Sequence, residues 1–115
     1  MSLKRFHTGK RMSEMVVHGN VAYLAGQVAG DPSQDVAGQT TQVLAAIDAL
    51  LAEAGTDKTK IIRAEIFLAD IATFSQMNGV WDTWVPAGDT PARATVEAKL
   101  AAPEYKVEIV ITAAI

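Results

Sequence analysis

The sequence predicts an α+β domain in which a mixed β-sheet carries two helices on one face. Three observations predict it. Residues 61–69 and both halves of the last third of the chain alternate apolar and polar side chains, the period of two that marks half-buried strands. Apolar residues between 36 and 54 recur instead at spacings of three, four and seven, one face of a helix. A second helical stripe then separates the strand at 61–69 from the last two. The resulting order is β-β-α-β-α-β-β, with a possible extra strand at the N-terminus, and 115 residues fit a single domain, 1–115.

Each element has its own signal. Residues 14–17 and 21–28 are β-branched runs separated by His18-Gly19-Asn20, a hairpin turn by composition, and Gly30-Asp31-Pro32 breaks the second strand. In the first helix Val36, Val43, Leu44, Ile47, Leu50, Leu51 and Ala54 form the apolar stripe, with Asp35 suited to the N-cap and Gly55 to the residue beyond the C-cap. In the strand at 61–69, Ile62, Ala64, Ile66 and Leu68 lie on one side, Arg63 and Glu65 on the other. Asp70 can cap the second helix, whose stripe is Ile71, Phe74, Met77, Trp81, Trp84 and Val85. Its end falls at Pro86-Ala87-Gly88, and Gly88-Asp89-Thr90-Pro91 is a turn by composition. The last two strands, joined by a short connection, are expected to pair antiparallel. Ala92, Ala94, Val96, Val107, Ile109 and Ile111 would face the helices, and Arg93, Thr95, Glu97, Glu108, Val110 and Thr112 would share the other face. Val21, Tyr23 and Val110 make that second face too apolar for solvent, and self-association is the cheapest cover.

Composition narrows the function. Half of the residues are apolar and a fifth charged, as in a globular chain. The absence of cysteine excludes disulfides, thiolate nucleophiles and cysteine-ligated metals. A net charge of −3 disfavours a nucleic-acid partner, whose binding rests on phosphate neutralisation. No apolar run approaches the ~20 residues of a membrane span, and the basic N-terminus lacks an apolar signal-peptide region, so a cytoplasmic location is expected. The basic cluster Lys4, Arg5, Lys10 and Arg11 is read as a solvated end.

Few residues offer chemistry. His7 and His18 have no ligand spacing and no metal is expected; phosphate-binding glycine loops and a serine-hydrolase elbow are missing. Trp81 and Trp84, three apart with Phe74 and Met77, read as core. Asn78 can donate and accept, which suits a loop cap, a subunit bridge or a ligand contact. Arg93 opens a strand between two alanines and is free to present its planar donor fork to a carboxylate. A surface ion pair with Glu97 or Glu108 is the alternative, and spacing does not choose between them. A carboxylate such as Glu108 near a carboxylate-binding arginine could position or deprotonate water.

The stretch Thr90-Pro91-Ala92-Arg93-Ala94-Thr95-Val96-Glu97, followed by Lys106-Val107-Glu108-Ile109, resembles the C-terminal signature of the Rid family (YjgF-type, reactive intermediate deaminases). Ala25-Gly26-Gln27-Val28, Gln39-Thr40 with Ile47-Asp48, and Leu68-Ala69-Asp70 with Phe74, Met77-Asn78 and Trp81 extend the resemblance over nearly the whole chain. The small YoaB-like members are the most similar in pattern. The resemblance implies a chorismate-mutase-like sandwich, a homotrimer with clefts between subunits, and no cofactor. It also implies hydrolysis of 2-imino acids or enamines to 2-keto acids and ammonia. By resemblance Arg93 grips the substrate carboxylate, Glu108 handles the attacking water, and Asn78, Gly26 and Thr95 line the cleft. Met12, Ala25 and Thr95 stand where RidA-type members have tyrosine, serine and cysteine. Two alternatives remain: a non-catalytic binder of small carboxylates such as keto acids, and an endoribonuclease-type activity, which the net charge and the lack of a histidine pair disfavour.

Overall fold

The computed structural model describes residues 2–115. The strands are β1 (Leu3–Phe6), β2 (Met15–His18), β3 (Val21–Leu24), β4 (Ile61–Leu68), β5 (Ala92–Glu97) and β6 (Val107–Ala114), with helices α1 (Val36–Glu53) and α2 (Phe74–Trp84). The expected N-terminal strand is present as β1. One six-stranded sheet runs in the order β1-β2-β3-β6-β4-β5, antiparallel throughout except for the parallel pair β4–β5. Among the described residues no helix is long and apolar enough to cross a membrane.

Local chemistry explains the boundaries. Gly19 (φ +60°) takes the first central position of the two-residue β2–β3 turn, which glycine fills without strain. Asp35 caps α1 by accepting from the Gly38 N–H at 2.9 Å. At the other end Gly55 (φ +78°) closes a Schellman motif, its N–H bonding Ala52 O and that of Thr56 bonding Leu51 O. Asp70 caps a single 3₁₀ turn, Ile71–Thr73, which leads directly into α2. β3 ends at Leu24, short of the expected residue 28, because the chain changes partner. The Ala25 N–H still bonds Glu14 O, whereas Gln27 exchanges both backbone bonds with Ile109 of β6.

The core lies between the helices and one sheet face. The α1 residues Val36, Val43, Leu44, Ile47, Leu50 and Leu51 and the α2 residues Met77 and Trp81 are buried on it. The sheet contributes Met15, Leu24, Ala64, Ile66, Leu68, Val107, Ile109 and Ile111. Two expected members are outside. A register irregularity between Ile61 and Arg63 buries Ile61 and leaves Ile62 47 % exposed, and Ile71 belongs to the capping turn and stays exposed. Gln39, a polar residue outside the predicted apolar stripe, is fully buried. Its amide nitrogen donates to Pro32 O, Gln34 O and Glu104 O, and its oxygen accepts from the Lys106 N–H.

The last third departs from expectation. β5 and β6 are not neighbours, because β4 lies between them and pairs with β5 in parallel. The connection β4–α2–β5 is therefore a crossover, the geometry that parallel strands require. In that register Arg93, Thr95 and Glu97 pair with Ala64, Ile66 and Leu68. They stand on the helix side, and Ala92, Ala94 and Val96 occupy the open face. Glu108, Val110 and Thr112 are on the open face as expected, opposite Phe67, Glu65 and Arg63.

Candidate functional site

The residues expected to form one site fall into two half-sites. The first is built where edge strand β5 runs beneath α2. Arg93 Nη1 donates to Asn78 Oδ1 at 2.7 Å, and the guanidinium carbon lies over the Trp81 ring at 5.3 Å and the Phe74 ring at 5.7 Å. Phe74, Asn78 and Trp81 are spaced by four and three on α2, so they share the helix face above β5. Among the described residues no carboxylate lies within ion-pair distance of Arg93; the only pairs are His7–Glu53 and Arg63–Glu65. Glu97, proposed from the sequence as a partner, instead accepts the Ile71 N–H at 3.0 Å. Asn78 takes one Nη1 hydrogen, which leaves the Nε–Nη2 side of the donor fork without a partner among the described residues. Thr95 shares this face, and its hydroxyl is shielded from solvent with no hydrogen-bond partner among the described residues.

The second half-site is on the open face. The Gly26 backbone packs directly against the Glu108 carboxylate, and any side chain at that position would push Glu108 Oε2 aside. Glu108 is half-buried at this position.

Arg93 and Glu108 therefore do not share a face, contrary to the expectation from alternation. They project from opposite sides of the sheet, two strands and three residues apart. Strand spacing puts their Cα atoms roughly 14 Å apart. No small ligand can touch both side chains within one chain. A groove of about 320 Å³ between α1 and α2 and one of about 360 Å³ beside residues 99–105 are lined by neither. The sequence pattern does not place Phe74 and Trp81 beside Arg93; the signal it carries there is an amide, Asn78, set within an otherwise apolar helix stripe. Met12 is exposed and Ala25 half-buried.

Residues 3–115 match the family described as endoribonuclease L-PSP. The chain is 48 % identical over 113 residues to a RutC family protein of Haemophilus ducreyi, covering 98 % of this chain and 97 % of the other. It is 45 % identical over 115 residues to the RutC family protein YoaB of Escherichia coli, covering 100 % of both. A solved structure of a YjgF family member from Neisseria meningitidis, 49 % identical, aligns with a TM-score of 0.97 over 99 % of this chain and 95 % of that one. A Rid family protein from Yersinia pestis, 32 % identical, aligns at 0.86 over 94 % and 90 %. The chain belongs to the endoribonuclease L-PSP family, the group also named YjgF, RutC and Rid. Its fold is the chorismate-mutase-like α+β sandwich of that family.

Proposed function

We propose that the protein hydrolyses 2-imino acids, or their enamine tautomers, to 2-keto acids and ammonia, in clefts between the subunits of a homotrimer. The observation that carries this reading is Arg93, a half-buried guanidinium held by an amide and two rings, with no acid among the described residues paired to it. Such a group is prepared for an external carboxylate, which it can take through two charge-assisted hydrogen bonds. That grip places C2 of the substrate, and Glu108 from a neighbouring copy holds water against it. The water oxygen adds to the C=N carbon, both of its protons pass in turn by way of Glu108 to the nitrogen, and the C–N bond breaks as the C=O bond forms, so one water and one imine become one ketone and one ammonia. The imine carbon is already electrophilic and the step calls for no cofactor. The opposed positions of Arg93 and Glu108 favour a cleft made by two copies over a site inside one.

A second reading is a carboxylate binder without turnover. Met12 and Ala25 favour it, since neither offers the hydroxyl found in RidA-type members. Ribonuclease activity, which the family description names, has weaker support here because the net charge is −3. A coupled assay separates them: 2-iminobutyrate is generated in situ and its disappearance followed above the spontaneous rate. Wild type accelerates the loss, and Glu108→Gln, which holds water but cannot take its proton, falls 10²–10⁴-fold. If wild type matches the background while 2-ketobutyrate still binds, the binder replaces the enzyme.

A further inference from the structure

We infer that Phe74 and Trp81 are positioning residues, holding the Arg93 guanidinium by its charge while leaving that charge free for an anionic ligand. The inference deepens the carboxylate reading of Arg93 and rests on it. A guanidinium drawn partly out of water needs compensation. A carboxylate would supply it, but would also cancel the charge and occupy the donor fork that a ligand needs. Here the acid on the same strand face, Glu97, is committed to the Ile71 N–H, and the neutral Asn78 takes only an Nη1 hydrogen. The guanidinium also lies over two rings, Trp81 at 5.3 Å and Phe74 at 5.7 Å. The negative face of an aromatic quadrupole attracts the cation without neutralising it and without using a donor.

The seat is also rigid. Trp81 is only 4 % exposed, belongs to the core, and packs at 51° against Trp84 with ring centroids 5.4 Å apart. Phe74 is half-buried at the start of α2, one turn before Asn78. The three positions fix the guanidinium from one helix face, so that arginine entropy is lost on folding and not on binding. A Trp and a Phe that read as hydrophobic stripe thus have an electrostatic task as well.

Phe74 is the position to test, because Trp81 is too deep in the core to replace cleanly. Phe74→Leu keeps apolar bulk and removes the quadrupole, Phe74→Tyr keeps both, and site-specific mono-, di- and trifluoro-phenylalanine weakens the quadrupole in steps at nearly constant size. Calorimetric titration with 2-ketobutyrate should show Phe74→Leu binding about three- to tenfold more weakly. Phe74→Tyr should bind like wild type, and the fluorinated series should weaken in order. Hydrogen exchange of the Arg93 Nε–H, followed by NMR without ligand, should quicken in Phe74→Leu and not in Phe74→Tyr. Wild-type affinity and exchange in Phe74→Leu, or equal losses in the Leu and Tyr variants, would overturn the inference. Arg93→Ala is the control: if it binds 2-ketobutyrate unchanged, the carboxylate reading itself falls, and the ligand-free exchange rates decide the ring seat alone.

Discussion

Arg93 concentrates the functional argument in one side chain, and truncating it should separate grip from scaffold. Among the described residues it forms one hydrogen bond, no ion pair and two ring contacts worth about 0.5–2 kcal/mol each, so only a small part of the folding energy depends on it. Arg93→Ala should therefore leave the thermal midpoint within a few degrees of wild type while abolishing calorimetric binding of 2-ketobutyrate. Arg93→Lys should recover little, because an ammonium cannot reproduce the planar fork. Unchanged binding in Arg93→Ala would remove the anchor role. The residue type and its small neighbours were legible in the sequence; its direction was not. Ala92, Ala94 and Val96 look like the inward set only if apolarity decides orientation, and two alanines contribute little to that decision. Phe74, Asn78 and Trp81 give Arg93, Thr95 and Glu97 a reason to turn inward, and that reason appears only when α2 lies over β5.

At the scale of elements, Gln39 straps the connection before β6 to the start of α1. Its side chain reaches Glu104 O and the Lys106 N–H on one side, Pro32 O and Gln34 O on the other. Gln39→Leu keeps the volume and strands these backbone groups, at about 1–3 kcal/mol for each that finds no water. A loss of about 3 kcal/mol, read as a fall in thermal midpoint of roughly 10 °C at fixed protein concentration, is expected. A second tie joins β1 to α1. His7, at φ +52°, places Nε2 2.9–3.0 Å from both oxygens of Glu53, the last residue of α1. The hydrogen bond to Glu53, then its charge, then Glu14 hold the His7 pKa above its ordinary 6.5. A raised pKa stabilises the fold fully below 6.5 and ceases to do so as pH rises through the folded value. Stability of wild type relative to His7→Gln should thus decline over that window, measured by urea midpoints from pH 5.5 to 8.5; a flat difference would show the pair to be idle. Periodicity located both helices, because caps at Asp35 and Gly55 and the stripe between them are local signals. Strand neighbours are not legible in the same way: the nine-residue connection between β5 and β6 suggests adjacency, whereas β4 lies between them and pairs with both.

The whole molecule is a slab, 42 × 38 × 20 Å, with helices on one broad side and bare sheet on the other. Tyr23 is 49 % exposed and Val96 48 %, beside half-buried Val16 and Val110. Registered pairing puts all four on the open face, among Arg63, Glu65 and Glu108. A face that mixes apolar side chains with both signs of charge suits a copy of itself. Sedimentation equilibrium should give three times the 12.2 kDa chain mass at micromolar concentration. A monomer there would remove the trimer and, with it, any site joining Arg93 to Glu108.

The parallel pairing of β5 with β4 also sets an order of events during folding. β5 cannot dock by zipping from a hairpin; it must wait until residues 69–91 have looped over the sheet and α2 has settled. The β2–β3 hairpin has no such delay, since only Gly19 and Asn20 separate its strands. Pulse-labelling hydrogen exchange during refolding should accordingly protect β2 and β3 amides before those of β5, and simultaneous protection would contradict that order. The strand that carries Arg93 then arrives later than the hairpin, and it lies at one edge of the sheet, with β1 at the other. If Arg93 is the carboxylate anchor proposed above, chains caught before β5 docks hold a hairpin and helices but no anchor in place.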